Sequence, residues 1–339
     1  ASPSFNGNKD NYTILNEFAE PIVSMYDINL SNLPLKVISH GWRSSTDSTA
    51  VSVIRDAYLE SQNANVITVD WSYTAGSIFY HWVANQTLYI GTELAVFLTS
   101  LSQKYNVTAD QIHLIGHSLG AHIMGIAAYY YRLNSTFTID RITGLDPARP
   151  LFEYPVRDDI WKLDASDANF VDIIHTCSGV LGMDSAIGTV DFYPNSGIPP
   201  QPGSCSHGRS FYYFAESITN PKAFLSHQCN NWDEYLSKQC EHPVYMGENV
   251  SRNITGKFYL KTNSKNIVPF LCFLGKIVVY ARWPHWLCPH SMGTAGSGVT
   301  TGWQVGKRPR AGPPVRRIRT PKIYYYTFSK ENTKLHRVF

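Results

Sequence analysis

Apolar and polar positions along the chain follow two alternating rhythms. Short apolar runs rich in β-branched residues recur at 35–39, 65–71, 112–115, 141–145 and 170–175, which is how strands buried on both faces read. Between them, at 51–59, 92–105 and 121–131, apolar residues return every three or four positions, as Leu94, Phe97, Leu98 and Leu101 do. That spacing gives a helix one apolar stripe with which to cover a sheet. Strands alternating with helices predict an α/β fold with a mostly parallel central sheet flanked by helices. The stretch 194–205 is too rich in Pro, Gly and Ser for regular structure, and helical spacing resumes over 210–218. No internal repeat is present. Past about residue 270 the pattern fails, and 271–339 reads as poorly ordered.

The pivotal stretch is 111–122. A strand ends at Gly116-His117-Ser118-Leu119-Gly120, and Ala121-His122 opens a helix. A bare G-x-S-x-G arises by chance in a chain this long with a probability on the order of 0.1. Strand, sharp turn and helix around it make it a candidate nucleophile elbow. The turn strains the serine backbone against its neighbours, so a Cβ at Gly116 or Gly120 is expected to collide. Ser118 Oγ would then stand at the top of the sheet, beside a helix N-terminus that favours developing negative charge.

Composition narrows the class. Hydrophobic residues make up 43% of 339 and charged ones 16%, which suits a packed core. No apolar run is long enough to span a bilayer. The net charge of +3 hides an asymmetry. Residues 271–339 hold twelve Lys/Arg against one acid, Glu331, leaving 17 basic and 25 acidic residues in 1–270. The basic balance belongs to the tail and gives no reason to expect nucleic-acid binding by the folded part. Six cysteines without C-x-x-C spacing suit disulfides better than zinc. Seven Asn-x-Ser/Thr sequons, at Asn11, Asn29, Asn85, Asn106, Asn134, Asn249 and Asn253, point to an extracellular protein, and the start at Ala1 without Met reads as a processed mature chain or a fragment.

An elbow serine needs a base, and the base needs a carboxylate to fix its tautomer; in this architecture the chain order is Ser, Asp or Glu, His. Asp146 follows the strand over 141–145, at the sheet edge where ligands gather in open α/β folds. His207 lies in the loop after the Pro-rich stretch. Spacing does not choose it over His175 or His227, although His175 ends a strand and reads as structural.

Four segments together settle that choice by resemblance: Gly116-His117-Ser118-Leu119-Gly120-Ala121-His122, Gly144-Leu145-Asp146-Pro147-Ala148, Asp191-Phe192-Tyr193-Pro194-Asn195 and Cys205-Ser206-His207-Gly208-Arg209-Ser210. In order and spacing, over about 10–270, they resemble the pancreatic-type lipase family of α/β-hydrolases, above all its insect members, which include venom phospholipases A1. The resemblance implies an α/β-hydrolase lipase domain over 1–270, with Ser118 as nucleophile, Asp146 as orienting acid and His207 as base. It also matches His40-Gly41-Trp42 to the family's H-G-aromatic turn, which gives the backbone N–H groups of Trp42 and Leu119 as the oxyanion hole. Asp159, Lys162 (through its carbonyl), Asp164 and Asp167 resemble a structural calcium segment. No cofactor is expected for the chemistry itself.

The family's triacylglycerol lipases carry a long lid bracketed by two cysteines. Here Gln201-Pro202-Gly203 runs directly into Ser204-Cys205-Ser206-His207, so almost no lid remains and Ser204 stands where its first cysteine would be. The loop over 176–189 is also short. In the family, short lids and loops accompany sn-1 phospholipase activity; triacylglycerol or galactolipid hydrolysis is the alternative, and a non-catalytic yolk-type relative is a further one. The expected partner is a phospholipid or neutral lipid at a membrane or micelle surface, met by a monomer. Without the lid cysteine, Cys177 becomes the candidate partner of Cys205, with Cys229–Cys240 as a second bridge. Residues 271–339 are too few and wrongly patterned for the C-terminal β-sandwich of longer members.

Overall fold

The computed structural model describes residues 33–202 and 205–263, together with the backbone of strand segments at 322–327 and 335–336. The predicted strands form as β1 (Leu35–Ser39), β2 (Asn65–Asp70), β3 (Ile112–His117), β4 (Arg141–Leu145) and β5 (Phe170–Ile174). The sheet continues through β6 (Val190–Pro194), β7 (Leu225–Gln228), β8 (Glu241–Tyr245) and β9 (Gly256–Leu260). With β10 (Lys322–Thr327) and β11 (Leu335–His336) at one edge, strand order is β11-β10-β2-β1-β3-β4-β5-β6-β9-β7-β8. From β2 to β9 every pairing is parallel, and antiparallel strands close both ends. Strands β1, β3, β4, β5 and β6 are buried at every residue or all but one, because helices cover both faces.

Those helices are α1 (Thr49–Ser61), the single turn α2 (Ser72–Ala75), α3 (Tyr80–Tyr105), α4 (Leu119–Ser135), α5 (Ser206–Thr219) and α6 (Trp232–Leu236). One apolar layer joins α3 and α4 to the sheet through Leu94, Leu98, Ile123 and Ala127. The opposite layer joins α1 and α5 through Val51, Ile54, Tyr213 and Phe214. This is the α/β fold with a mostly parallel, helix-flanked sheet anticipated from the rhythm of the chain, and it has the architecture that the α/β-hydrolase resemblance implies.

Three differences have physical reasons. Helix α3 begins at Tyr80 rather than near residue 92; Val83, Ala84, Thr87, Ile90 and Gly91 continue its buried stripe, but small and polar members dilute the signal. Helix α5 begins at Ser206, which puts His207 in the first turn of a helix and not in a loop. The polar start of α5 has no apolar period to read, and Ser206 Oγ is tied back to the Gln201 N–H at 2.9 Å. Of 271–339, β10 (Lys322–Thr327) pairs antiparallel with β2 and β11 (Leu335–His336) with β10; the rest of that segment lies outside the described residues.

Candidate active site

Strand β1 pairs with β2 on one side and with β3 on the other, so the order of connections reverses there. The carboxyl ends of strands flanking such a reversal leave a crevice. Into it run the His40-Gly41-Trp42 turn after β1 and the Ser118 turn after β3.

The Ser118 turn is strained. Its φ is +58° and ψ −121°, a region that non-glycine residues occupy only when the surroundings force it. The expectation about the flanking glycines holds in atomic terms. A Cβ on Gly116 would meet the Gly120 carbonyl oxygen at 2.3 Å, and one on Gly120 would meet the His40 and Ser39 carbonyl oxygens at 2.6 and 2.7 Å. A Cβ on Gly41 would come within 2.8 Å of Ser118 Cβ and 3.3 Å of its Oγ. The two turns are therefore in contact, and glycine is what permits it. Leu119 is the first residue of α4, where a backbone N–H has no partner one turn earlier in its own helix.

His40 fixes the neighbouring turn. The Trp71 backbone N–H donates to His40 Nε2 at 3.2 Å, and His40 Nδ1 lies 2.9 Å from the Gly41 carbonyl. A carbonyl only accepts, so Nδ1 carries a proton, and Nε2 also lies 3.4 Å from Asp70 Oδ1. The ring also stacks on Trp71 at 5.1 Å. Trp42 is pinned by its Nε1–H to the Ser77 carbonyl at 2.7 Å and by the edge of Tyr80.

Asp146 is fully buried just past β4, at φ +47°. Its Oδ1 accepts the backbone N–H of Thr176 at 2.8 Å and of Cys177 at 2.9 Å. Its Oδ2 lies 2.5 Å from His207 Nδ1, which therefore holds a proton, while Nε2 takes no part in that contact. Gly182 closes over the carboxylate so tightly that a Cβ there would sit 2.3 Å from Oδ1. The His207 ring is 4.6 Å from that of His117, the residue before Ser118. His117 Nε2–H donates to the His207 carbonyl at 3.0 Å. Burial, with the charge of His207 adding to it, pushes the His117 pKa down to about 3, so His117 is a neutral brace.

Asp146 and His207 thus pair beside the Ser118 turn, and the turn holding Trp42 touches Ser118 through Gly41. The alternatives to His207 make no such pair with Asp146. His175 is fully buried and spans two other groups, its Nε2 2.8 Å from Asp191 Oδ1 and its Nδ1 3.0 Å from the Met183 carbonyl. His227 lies on β7, which β9 separates from β6. Sequence reading missed the His175–Asp191 pair and the way His40 braces the turn after β1. Both histidines follow directly on strands, the one signal that might have found them.

The calcium segment is arranged differently from what a metal needs. Lys162 Nζ binds Asp159 Oδ1 at 2.6 Å, Asp164 Oδ1 takes the Ser166 N–H, and Asp167 Oδ2 takes the Asp164 N–H. Burial pushes the Asp167 pKa up to about 8. Among the described residues no three His, Cys, Asp or Glu side chains converge, so the four residues do not fit the ion as placed. Of the two expected bridges, Cys229–Cys240 is formed, with Cα atoms 5.2 Å apart. Cys177 is a buried thiol. The Gly203-Ser204 step of the shortened lid lies outside the described residues.

The family model described as Lipase matches residues 5–270. The chain is 32% identical over 292 residues to pancreatic lipase-related protein 3 of Homo sapiens, covering 77% of this chain and 59% of that protein. It is 36% identical over 247 residues to pancreatic lipase-related protein 2 of Cavia porcellus (69% and 55%) and 32% identical over 273 residues to the pancreatic triacylglycerol lipase of the same species (68% and 57%). The chain spans less than two thirds of the length of these relatives. Among the described residues no helix is long and apolar enough to cross a membrane. The match over 5–270 shows that the chain belongs to the lipase family.

Proposed function

We propose that this protein is a secreted serine carboxylic-ester hydrolase acting on lipids, with sn-1 phospholipids as its main substrates. The observation that carries the reading is the 2.5 Å contact from His207 Nδ1 to Asp146 Oδ2 beside the strained Ser118 turn. In this mechanism His207 Nε2 removes the Ser118 proton as Oγ attacks the ester carbonyl. The oxyanion is met by the backbone N–H groups of Trp42 and Leu119, each worth about 3 kcal/mol in the transition state. The tetrahedral adduct collapses, the C–O bond to the lyso-lipid breaks, and His207 returns the proton to that leaving oxygen. Water, activated by the same imidazole, then cleaves the acyl-Ser118 ester and releases the fatty acid. No metal takes part.

The catalytic unit in this reading is 1–270, with 271–339 as an appendage and not a β-sandwich. Preference for phospholipid is supported by the short connection from β6 to α5, which leaves the crevice without a long apolar cover, so a charged head group can stay hydrated. Secretion is supported by the Cys229–Cys240 bridge and the sequons. The test is a side-by-side assay with an sn-1-labelled phospholipid, a galactolipid and triolein. Phospholipid should be turned over fastest, and Ser118→Ala should lower the rate about 10⁶-fold without moving the melting temperature. Faster triolein cleavage would reassign the substrate. Unchanged activity in Ser118→Ala would remove the serine mechanism, and an inert wild-type protein would favour a lipid-binding role.

A further inference from the structure

The loop over 176–183 presents its first two amides to Asp146 and then returns to the sheet. Its return is tied at three points: Gly182 N–H to the Cys177 carbonyl at 3.0 Å, Met183 N–H to the Pro147 carbonyl at 2.9 Å, and the Met183 carbonyl to His175 Nδ1 at 3.0 Å. His175 immediately precedes Thr176, so its ring bridges the start of the loop to its end.

The other ring nitrogen, Nε2, meets the Asp191 carboxylate. That carboxylate also accepts the backbone N–H groups of Ile187 and Gly188, both at 3.0 Å. A carbonyl and a carboxylate both only accept. An imidazole held between them satisfies both contacts only when each nitrogen bears a proton. From this geometry we infer that His175 is a buried imidazolium whose charge clamps the loop holding Asp146, a positioning residue for the His207–Asp146 couple. The inference rests on the serine-hydrolase reading for its catalytic consequence, though not for the protonation state itself.

The groups facing His175 are few. Asp191 and Tyr193 come from β6, with the Tyr193 ring stacked at 4.4 Å, and Tyr259 of β9 lies behind Tyr193. Asp146 stands past β4, and Cys177 follows in the loop. Burial, then the nearby Asp146 charge, pushes the Cys177 thiol up to about 12, and burial raises both tyrosines. Near neutral pH only the carboxylates bear charge toward the ring. Burial opposes the His175 charge, but the Asp191 hydrogen bond and charge, Asp146 and the Met183 carbonyl outweigh it and raise the pKa above 6.5. The clamp is therefore complete below that value and is lost as pH rises through the raised one.

The test starts with the wild-type protein labelled with ¹⁵N-histidine. At pH 7.5 one imidazole should show both nitrogens in the protonated range while a free histidine is mostly neutral. Its signals should vanish in His175→Gln or, if that variant does not fold, be assigned by their contact with the Tyr193 ring. A neutral tautomer for His175 at pH 7.5 overturns the proposal. The second readout is kinetic. In His175→Gln, kcat on the lipid ester should fall roughly 10- to 100-fold with KM unchanged, and the alkaline limb of the wild-type pH profile assigned to His175 should disappear. A lowered melting temperature with unchanged kcat and pH profile per folded molecule would leave His175 merely structural and overturn the positioning role. Failure of the serine-hydrolase reading is separately visible, since full activity in Ser118→Ala would leave the ¹⁵N pattern untouched.

Discussion

Two histidine–carboxylate pairs meet at the loop over 176–183, and they differ in what surrounds the second ring nitrogen. His207 gives Nδ1–H to Asp146, and its side chain keeps 16% exposure at the crevice beside the His117 ring. His175 gives one nitrogen to Asp191 and the other to the Met183 carbonyl, with no exposure at all. The same two residue types yield, in one place, a ring with an available lone pair and, in the other, a ring with none. A His–Asp contact by itself therefore says nothing of catalysis. The open nitrogen and the nucleophile beside it are what distinguish the candidate base from the clamp.

The sharpest way to break the comparison is Asp146→Asn. The asparagine oxygen can still accept the Thr176 and Cys177 amides, so the loop stays folded. Its NH₂ would then face His207 Nδ1, which must accept, forcing the proton onto Nε2 and disabling the base. Ester hydrolysis should fall about 10⁴-fold, with a melting temperature within a few degrees of wild type. A loss below tenfold would mean that Asp146 does not set the tautomer.

The matching change at the clamp, Asp191→Ala, should act the other way round. It leaves a buried imidazole and the Ile187 and Gly188 amides without their acceptor. Breaking a buried pair of this kind costs about 3–5 kcal/mol, visible as a lower denaturation midpoint in urea. Unchanged stability would mean that water or another group replaces the carboxylate at no cost.

How much of this contrast could be read in advance depends on which physical signal each residue leaves. The strands around Ser118 are apolar throughout because helices cover both faces, and that pattern survives in one dimension. The two glycines of the elbow are equally legible, since the contacts that forbid a Cβ there are local to the turn or come from the adjacent β1. His207 was reached by resemblance; the polar first turn of α5 carries no periodicity, so the spacing starts that helix only at Ser210. The His175–Asp191 pair depends on β5 and β6 being neighbours and on a loop doubling back. Long-range facts of that kind leave no spacing rule in the chain. The calcium segment shows the converse: carboxylates at suitable intervals can bond to a lysine and to backbone amides instead of converging.

The smallest expected effect separates the clamp from the neutral histidines that brace the same region. His122 has its Nε2 2.8 Å from the Ala148 carbonyl, while Nδ1 accepts the Leu163 N–H at 3.2 Å, so only the neutral ring fits. Burial is the main cause pushing its pKa down to about 4, as it pushes His117 to about 3. For both, the unfolded chain binds the proton more readily. Their contribution to stability is complete above pH 6.5 and drains away as pH falls toward 4 and 3, roughly 3–5 kcal/mol each. His175 has the opposite sign, its contribution being complete below 6.5 and lost on the alkaline side. Urea denaturation followed from pH 4 to pH 9 should therefore give a stability maximum near neutrality. In His122→Gln the acid slope should become shallower while the alkaline slope stays as it was. An acid slope unaffected by that change would show that the proton goes elsewhere, to carboxylates such as Glu248 whose folded pKa is also lowered.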